Sequence, residues 1–219
     1  MTPAEENYLK TIYHLGKVSN QAVTTNSIAE QMDTKPSSVT DMIKKLSEKG
    51  LVHYKKYQGV SMSDQGNKIA LSIVRKHRLW EVFLMEKLNF AWDEVHDVAE
   101  QLEHVQSEKL IEKLDRHLGF PRFDPHGDPI PSKSGKVLQV EKVLLSACDT
   151  GDKGIFVGVN SSSTEFLQYL DKLNLVLGDR IEILFKESFD DSLQIKAKGQ
   201  KVTLSGKAAM NIYIQIDEL

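Results

Sequence analysis

The sequence predicts a mainly α protein with a small β domain: a winged helix-turn-helix, a helical module, and a small barrel at the C-terminal end. Three observations carry this. Apolar residues recur at helical spacing through most of the first 120 positions, interrupted once by a short β-rich pair. A stretch dense in proline and glycine follows. Beyond it the pattern changes to the alternation of short strands. The expected boundaries are 1–72 for the winged-helix module, 73–120 for the helical module, 121–139 for a linker, and 140–219 for the small barrel.

The elements follow in order. Pro3 suits a first helical turn, and Tyr8, Leu9, Ile12, Tyr13 and Leu15 recur at helical spacing to about Val18. SIAEQM reads as a short helix capped by Ser27 or Thr25. In PSSVTDMIKKLSEKG, Pro36 starts a helix, Val39, Ile43 and Leu46 form its apolar face, and Gly50 ends it. LVHYKKYQGVSMS reads as a hairpin around Gln58-Gly59. Ser63 opens a long helix to about Leu88. Asp93 is placed to cap a helix through Val95, Val98, Leu102 and Val105, and another ends near Gly119. Residues 121–136 hold four of the six prolines. GIFVGV, DRIEILF, LQIKA, KVTLSG and NIYIQID then read as barrel strands, with one helix at STEFLQYLDKL.

Composition narrows the class. Hydrophobic residues at 40% and charged residues at 27% are those of an ordinary globular protein. The start, MTPAEENYLK, lacks a basic segment followed by an apolar run, so no signal peptide is expected. No apolar stretch approaches the roughly 20 residues a bilayer span needs. The single cysteine, Cys148, cannot form an internal disulfide, which suits a reducing cytoplasm. A net charge of −3 argues against a generic nucleic-acid coat but leaves local patches open.

Such a patch exists. Lys35, Lys44, Lys45, Lys49, Lys55 and Lys56 stand against Asp41 and Glu48 within one helix-turn-helix and wing. In this fold the second helix of the pair enters the major groove. Lys35, Ser37, Ser38, Thr40 and Lys44 on that helix can reach phosphates or base edges, and Lys55, Lys56 and Tyr57 at the wing can track the backbone. A solvated lysine face is the plain alternative for each residue alone. The order of helix, turn, helix and basic wing favours DNA.

The next helices are acidic. HDVAEQLEH, residues 96–104, read as a helix puts His96, Glu100 and His104 on one stripe with Glu103 beside them. Alone this is more often a solvated face than a ligand set. RKHRLWE adds His77 and Glu81 at i, i+4, and DPHG offers Asp124 and His126 in a tight turn. Imidazoles and carboxylates without thiolate suit manganese or ferrous iron better than structural zinc. No zinc-peptidase, di-iron or nucleophile–base pattern is present, so no enzyme is expected.

These motifs together resemble the metal-dependent repressors typified by the diphtheria toxin repressor and the manganese transport regulator. The resemblance rests on NYLKTIY, PSSVT, GLV before the wing, RKHRLWE, VHDVAEQLEHVQSE and DPHGDPIP, in family order over nearly the whole chain. It implies that His77, Glu81 and His96 belong to one metal site, and that Glu100, Glu103 and His104 form the core of another. Glu100 stands where iron-type members have Cys and manganese-type members have Glu. Asp124 and His126 match a pair that some streptococcal manganese regulators recruit from the linker. Asn7 takes the place of the first-helix ligand, bringing an amide oxygen but no charge. Lys10 replaces a Glu of manganese-type members, so a closely spaced binuclear site of that kind is not expected. The tail resembles the SH3-like (FeoA-like) barrel of longer members, with Glu165 near a position that can offer a ligand.

The resemblance implies a cytoplasmic homodimer, with Val98, Leu102 and Val105 in its core, that binds a palindromic double-stranded DNA operator. Mn2+ or Fe2+ would switch it, Mn2+ being favoured, and metal-uptake genes would be repressed. A metal-dependent hydrolase with a DNA-binding module and a metal-independent winged-helix regulator are the alternatives.

Overall fold

The computed structural model describes residues 1–19, 22–56 and 58–217. The chain divides into two compact units. The first comprises Met1–His77, Glu100–Ile111 and Pro131–Val137; the second comprises Arg78–Ala99, Glu112–Ile130 and the chain from Leu138 onward.

The first unit opens with α1 (Pro3–Ser19). Thr2 and Glu5 form a reciprocal cap: Thr2 Oγ1 accepts from the Glu5 N–H, and Glu5 Oε2 accepts from the Thr2 N–H. Tyr8, Leu9, Ile12 and Tyr13 are buried, as their spacing requires. The next helix, α2 (Thr25–Gln31), is capped by Thr24, one residue before the expected Thr25, because the Thr24 hydroxyl accepts from the Ser27 N–H. The following helix, α3 (Pro36–Glu48), buries Val39, Ile43 and Leu46 completely. Each such side chain contributes roughly 1.5–3 kcal/mol on burial. Repulsion between like charges one turn apart, such as Lys45 and Lys49, costs only about 0.2–0.5 kcal/mol. The apolar face therefore fixes how α3 docks and leaves a basic face outward.

Gly50, at φ +70°, turns the chain into the hairpin of β1 (Val52–Lys55) and β2 (Gly59–Met62), paired from Val52↔Met62 to Lys55↔Gly59. Val23 adds a short antiparallel bridge to Val60. Tyr57 lies outside the described residues. Ser63 caps the long α4 (Asp64–Leu88) through the Gly66 N–H, and Ala70, Ile73 and Val74 bury its first half.

In the helices that follow, α5 (Val95–Leu102) is shorter than expected and α6 spans Glu108–His117. Val105 lies past the end of α5 and its N–H closes a turn onto the Leu102 carbonyl. Val95 and Ala99 are the buried positions of α5; Val98, Leu102 and Val105 are half-buried. Asp93 does not cap α5; its carboxylate accepts from Gln168 and its carbonyl from Thr164.

The rest of the second unit is a six-stranded antiparallel sheet of β3 (Val143–Leu144), β4 (Lys153–Val159), β5 (Arg180–Lys186), β6 (Leu193–Ala197), β7 (Gln200–Leu204) and β8 (Ile212–Ile216), in the order β3-β8-β4-β5-β6-β7. Bulges between Phe156 and Gly158 and between Ile183 and Phe185 curve it. The inward residues Phe156, Ile181, Ile183, Ile195 and Ile214 pack with Leu167 and Leu170 of α7 (Thr164–Lys172). Sequence alternation identified five of the strands. The two-residue β3 and the single turn of α8 (Gly206–Ala209) were too short to leave a periodic signal.

One buried charge ties α1 to α3. Glu5 is closed off from solvent, with Lys45 Nζ 2.9 Å and Lys49 Nζ 2.8 Å from its carboxylate. The Lys49 and Lys45 ammonium groups outweigh burial and hold Glu5 down to about 2, from an ordinary value of 4.5. Since the folded value is the lower one, this anchor is complete above pH 4.5 and is lost as pH falls from there through about 2. Urea unfolding at a series of pH values should therefore show wild type losing stability over that window more steeply than Glu5→Gln. Equal slopes would place the acid-sensitive group elsewhere.

Candidate metal centre

The expected stripe of His96, Glu100 and His104 does not exist as one helix face. Because α5 stops at Leu102, Glu103 and His104 lie in the turn that follows, and the three residues serve two separate groups.

The first group is in the first unit. Glu6 and Lys10 stand one turn apart on α1 and both face residues 100–106. Glu6, 2% exposed, lies with Oε2 2.6 Å from His104 Nδ1, while its Oε1 accepts from Gln106 Nε2 at 2.9 Å. Gln106 Nε2 also donates to the His104 carbonyl. This fixes the imidazole and leaves Nε2 as its ligand-competent nitrogen. Lys10 Nζ lies 3.0 Å from Glu100 Oε1 and 2.7 Å from Glu103 Oε1, and it hydrogen-bonds to Glu103 Oε2 at 2.8 Å. His77 Nδ1 approaches Glu103 Oε2 at 2.6 Å. Burial alone would raise the Glu103 carboxyl; His77 and Lys10 outweigh it and hold it below the ordinary carboxylate range. Glu103 Oε1 is itself buried, against the Lys10 ammonium. Asn7 is half-buried on α1.

The second group is in the second unit. Arg78 builds it by gripping the 124–129 loop: its guanidinium reaches the Pro129 carbonyl at 2.6 Å, Asp124 Oδ2 at 3.2 Å and Asp128 Oδ2 at 3.2 Å. Asp124 Oδ1 accepts from the His126 and Asp128 N–H groups, closing the turn. Gly127, at φ +84°, lets the loop lie against β4, where a Cβ would meet the Val157 carbonyl oxygen at 2.0 Å. The first part of the expected linker is thus a docked loop. Its His126 Nε2 lies 2.9 Å from the Trp92 carbonyl oxygen, with the imidazole stacked on the Trp92 ring. That contact assigns Nε2 as the donor and turns Nδ1 toward Glu81, 3.7 Å away. His96 Nδ1 lies 3.6 Å from the same Glu81 oxygen. Burial, and then the Glu81 charge, push Asp124 up to about 7; burial would lower His126, but Glu81 outweighs it and raises it.

Glu81, Asp124 and His126 are all buried and offer one ligand atom each, all within 4.8 Å of one another. Buried carboxylates converging on imidazole fit a dication of intermediate hardness. Glu165 is exposed on α7, outside the Glu81 group.

The basic face is less uniform than its composition implies. Lys35, Ser37, Ser38, Lys44, Lys55 and Lys56 are exposed. Lys45 and Lys49 are engaged by Glu5, Lys44 is 3.7 Å from Asp41, and the Thr40 hydroxyl donates to the Pro36 carbonyl.

A winged helix with an outward basic face, carried on a chain with two carboxylate–imidazole groups, defines a metal-responsive DNA-binding protein. Comparison with known proteins agrees segment by segment. Residues 1–60 match the N-terminal DNA-binding domain of iron-dependent repressors, 63–132 their metal-binding and dimerisation domain, and 143–216 a FeoA domain. A manganese-dependent transcriptional repressor solved with manganese is 34% identical, with a TM-score of 0.85, over 96% of this chain and 98% of that one. An uncharacterized HTH-type regulator of Methanocaldococcus jannaschii is 35% identical over 114 residues, 52% of this chain and 91% of its own length. The iron-dependent repressor IdeR of Mycobacterium bovis is 32% identical over 126 residues, 58% of this chain; the match spans 54% of that repressor, about half its length. The chain belongs to this family of metal-dependent repressors, which includes the diphtheria toxin repressor.

Sequence reasoning missed Glu6, Arg78, Trp92 and Gln106. None has a spacing signal, because each acts by orienting a ligand rather than by being one. Arg78 gives a direct test. Its side chain is 14% exposed and that of Asp124 3%, so Arg78→Ala strands a buried charge and should cost about 3 kcal/mol of stability. Arg78→Lys keeps the charge but loses the fork and should fall between the two. Calorimetric unfolding ranks the three proteins; an unshifted Arg78→Ala would mean that the loop is held without it.

Proposed function

We propose that this chain is a cytoplasmic homodimeric repressor of metal-uptake genes, whose affinity for a palindromic operator rises when Mn2+, or less readily Fe2+, binds. The observation that carries the reading is the convergence of the buried Glu81, Asp124 and His126 donors in a chain whose N-terminal module is a DNA-binding winged helix. It acts as a regulator without catalysis of its own, in keeping with the repressor family. No helix is long and apolar enough to cross a membrane among the described residues. The half-buried Val98, Leu102 and Val105 supply an apolar surface for a second copy.

A bound dication supplies positive charge to carboxylates that otherwise repel one another. The chain's own residues carry that event to DNA. Glu6 orients His104, and one residue earlier Glu5 grips Lys45 and Lys49 at the end of α3. Whatever fixes α1 against residues 100–106 therefore also fixes the recognition helix. In a dimer this sets the separation of two recognition helices, which must match half-sites about 34 Å apart. Metal and operator then favour one state, and each tightens the other.

Glu103 is fully buried, so Glu103→Gln, which keeps the shape, is the informative change, with His104→Ala beside it. Both should abolish metal-stimulated operator binding while the protein stays folded by circular dichroism. Intrinsic affinity should rise from manganese toward zinc, but carboxylate-rich sites built for more than four donors are served poorly by tetrahedral zinc. Operator binding measured anaerobically against free metal should show full activation by manganese and weak activation by tightly bound zinc. Wild-type response in both variants would put the responsive site elsewhere than at Glu103 and His104, and a response to iron alone would sink this reading.

A further inference from the structure

Val39, Ile43 and Leu46 define the buried side of α3, and with about 100° between successive residues Asp41 falls on the opposite pole. Ser37 lies one turn before it, and Lys44 and Lys45 one turn after. The Asp41 side chain is 81% exposed, and the Lys44 ammonium is 3.7 Å from its carboxylate. The fold itself gains little from this acid. An exposed ion pair at i, i+3 contributes little to stability. The attraction of a helix N-terminus for an acid is confined to the first turn, and no acid of α3 lies there. For DNA binding the same carboxylate is a cost, because it carries negative charge toward the phosphates.

A donor on a base edge offsets that cost. The second helix of a helix-turn-helix turns its N-terminal residues to the bases, and Asp41 stands in the first half of α3. The major groove presents two amino donors, N4 of cytosine and N6 of adenine; guanine and thymine present acceptors there. Adenine sets its N7 acceptor beside the amino group, where it repels the second carboxylate oxygen. Cytosine has only a C–H at that place. Across the pair from the cytosine amino group lie guanine O6 and N7, two acceptors for the Lys44 ammonium. Across from the adenine amino group lie one thymine oxygen and a methyl group. An acid and a lysine side by side therefore match a C·G pair better than an A·T pair.

We propose that Asp41 is a base-reading residue, its carboxylate accepting from the N4 amino group of one cytosine in each operator half-site. Any other base at that place leaves the carboxylate facing acceptors, so the contact discriminates by rejection as much as by attraction. Replacing the C·G pair should cost the wild type about tenfold or more in affinity. This rests on the operator-binding reading above and names a base that the reading leaves open.

The test is selection from a randomised double-stranded oligonucleotide library by the full chain with manganese. Single duplexes carrying each of the four base pairs at every selected position are then titrated. Asp41 is exposed, so its variants should fold as the wild type does, which circular dichroism checks. Wild type should recover a C·G pair at one position of each half-site. Asp41→Ala should accept all four pairs there while its other preferences hold. Asp41→Asn should shift that position toward A·T, because its amide pairs with adenine N6 and N7. A cytosine analogue lacking the 4-amino group separates contact from DNA shape: it should cost the wild type the same factor and Asp41→Ala nothing. If Asp41→Ala keeps every base preference of the wild type, whatever its overall affinity, the proposal is overturned and Asp41 only offsets Lys44. A preference that Asp41→Ala loses at an A·T position instead overturns the cytosine assignment. Wild type that recovers no sequence at all overturns the operator-binding reading, so the two failures are told apart.

Discussion

A carboxylate taken out of water costs several kcal/mol unless cations or N–H donors replace its hydration, and α1 buries two in succession. Glu5 and Glu6 are 0% and 2% exposed, and neighbouring positions on a helix point about 100° apart. Their replacements for water therefore come from different places: two lysines of the recognition-helix end for Glu5, and His104 with Gln106 for Glu6. The first unit is organised by this requirement. A displacement of α1 large enough to strand either charge is expensive, so α3 and residues 100–106 share one rigid reference.

Much of the fold was legible because it rests on periodicity. The apolar faces of α1 and α3, the reach of α4, and five of the strands all follow from residues that must be buried. The site was legible from the residues as donor types, and its division into two groups only through the family resemblance. HDVAEQLEH taken alone looked like one helical stripe, but His96 turns to Glu81, Glu100 meets Lys10, and the end of α5 at Leu102 leaves Glu103 and His104 in the turn beyond it. That termination has no glycine or proline to announce it. The six lysines likewise read as one basic patch, whereas Glu5, distant in sequence, claims two of them. Long-range pairing of charges cannot be read from composition.

The 124–129 loop shows the same limit from the other side. Its prolines and glycines signalled a break in regular structure, correctly, but the same residues allow a tight turn to dock. Arg78 supplies the donors, Gly127 the close approach to β4, and Trp92 the carbonyl that orients His126. Asp124 spends one oxygen on holding the turn and turns the other to Arg78. Folding of the loop and presentation of its donors are thus one event.

Residue 124 is an aspartate, and the only thiol in the sequence, Cys148, is 2% exposed in the core beneath the sheet. Carboxylates and imidazoles do not climb the sulfenic-to-sulfonic ladder that peroxide drives in a thiolate. Oxidants that would disable a cysteine-liganded sensor have no sulfur to attack in either donor group, and the buried thiol offers them little access. Whatever ion these groups take, their affinity for it does not depend on the oxidation state of a thiol.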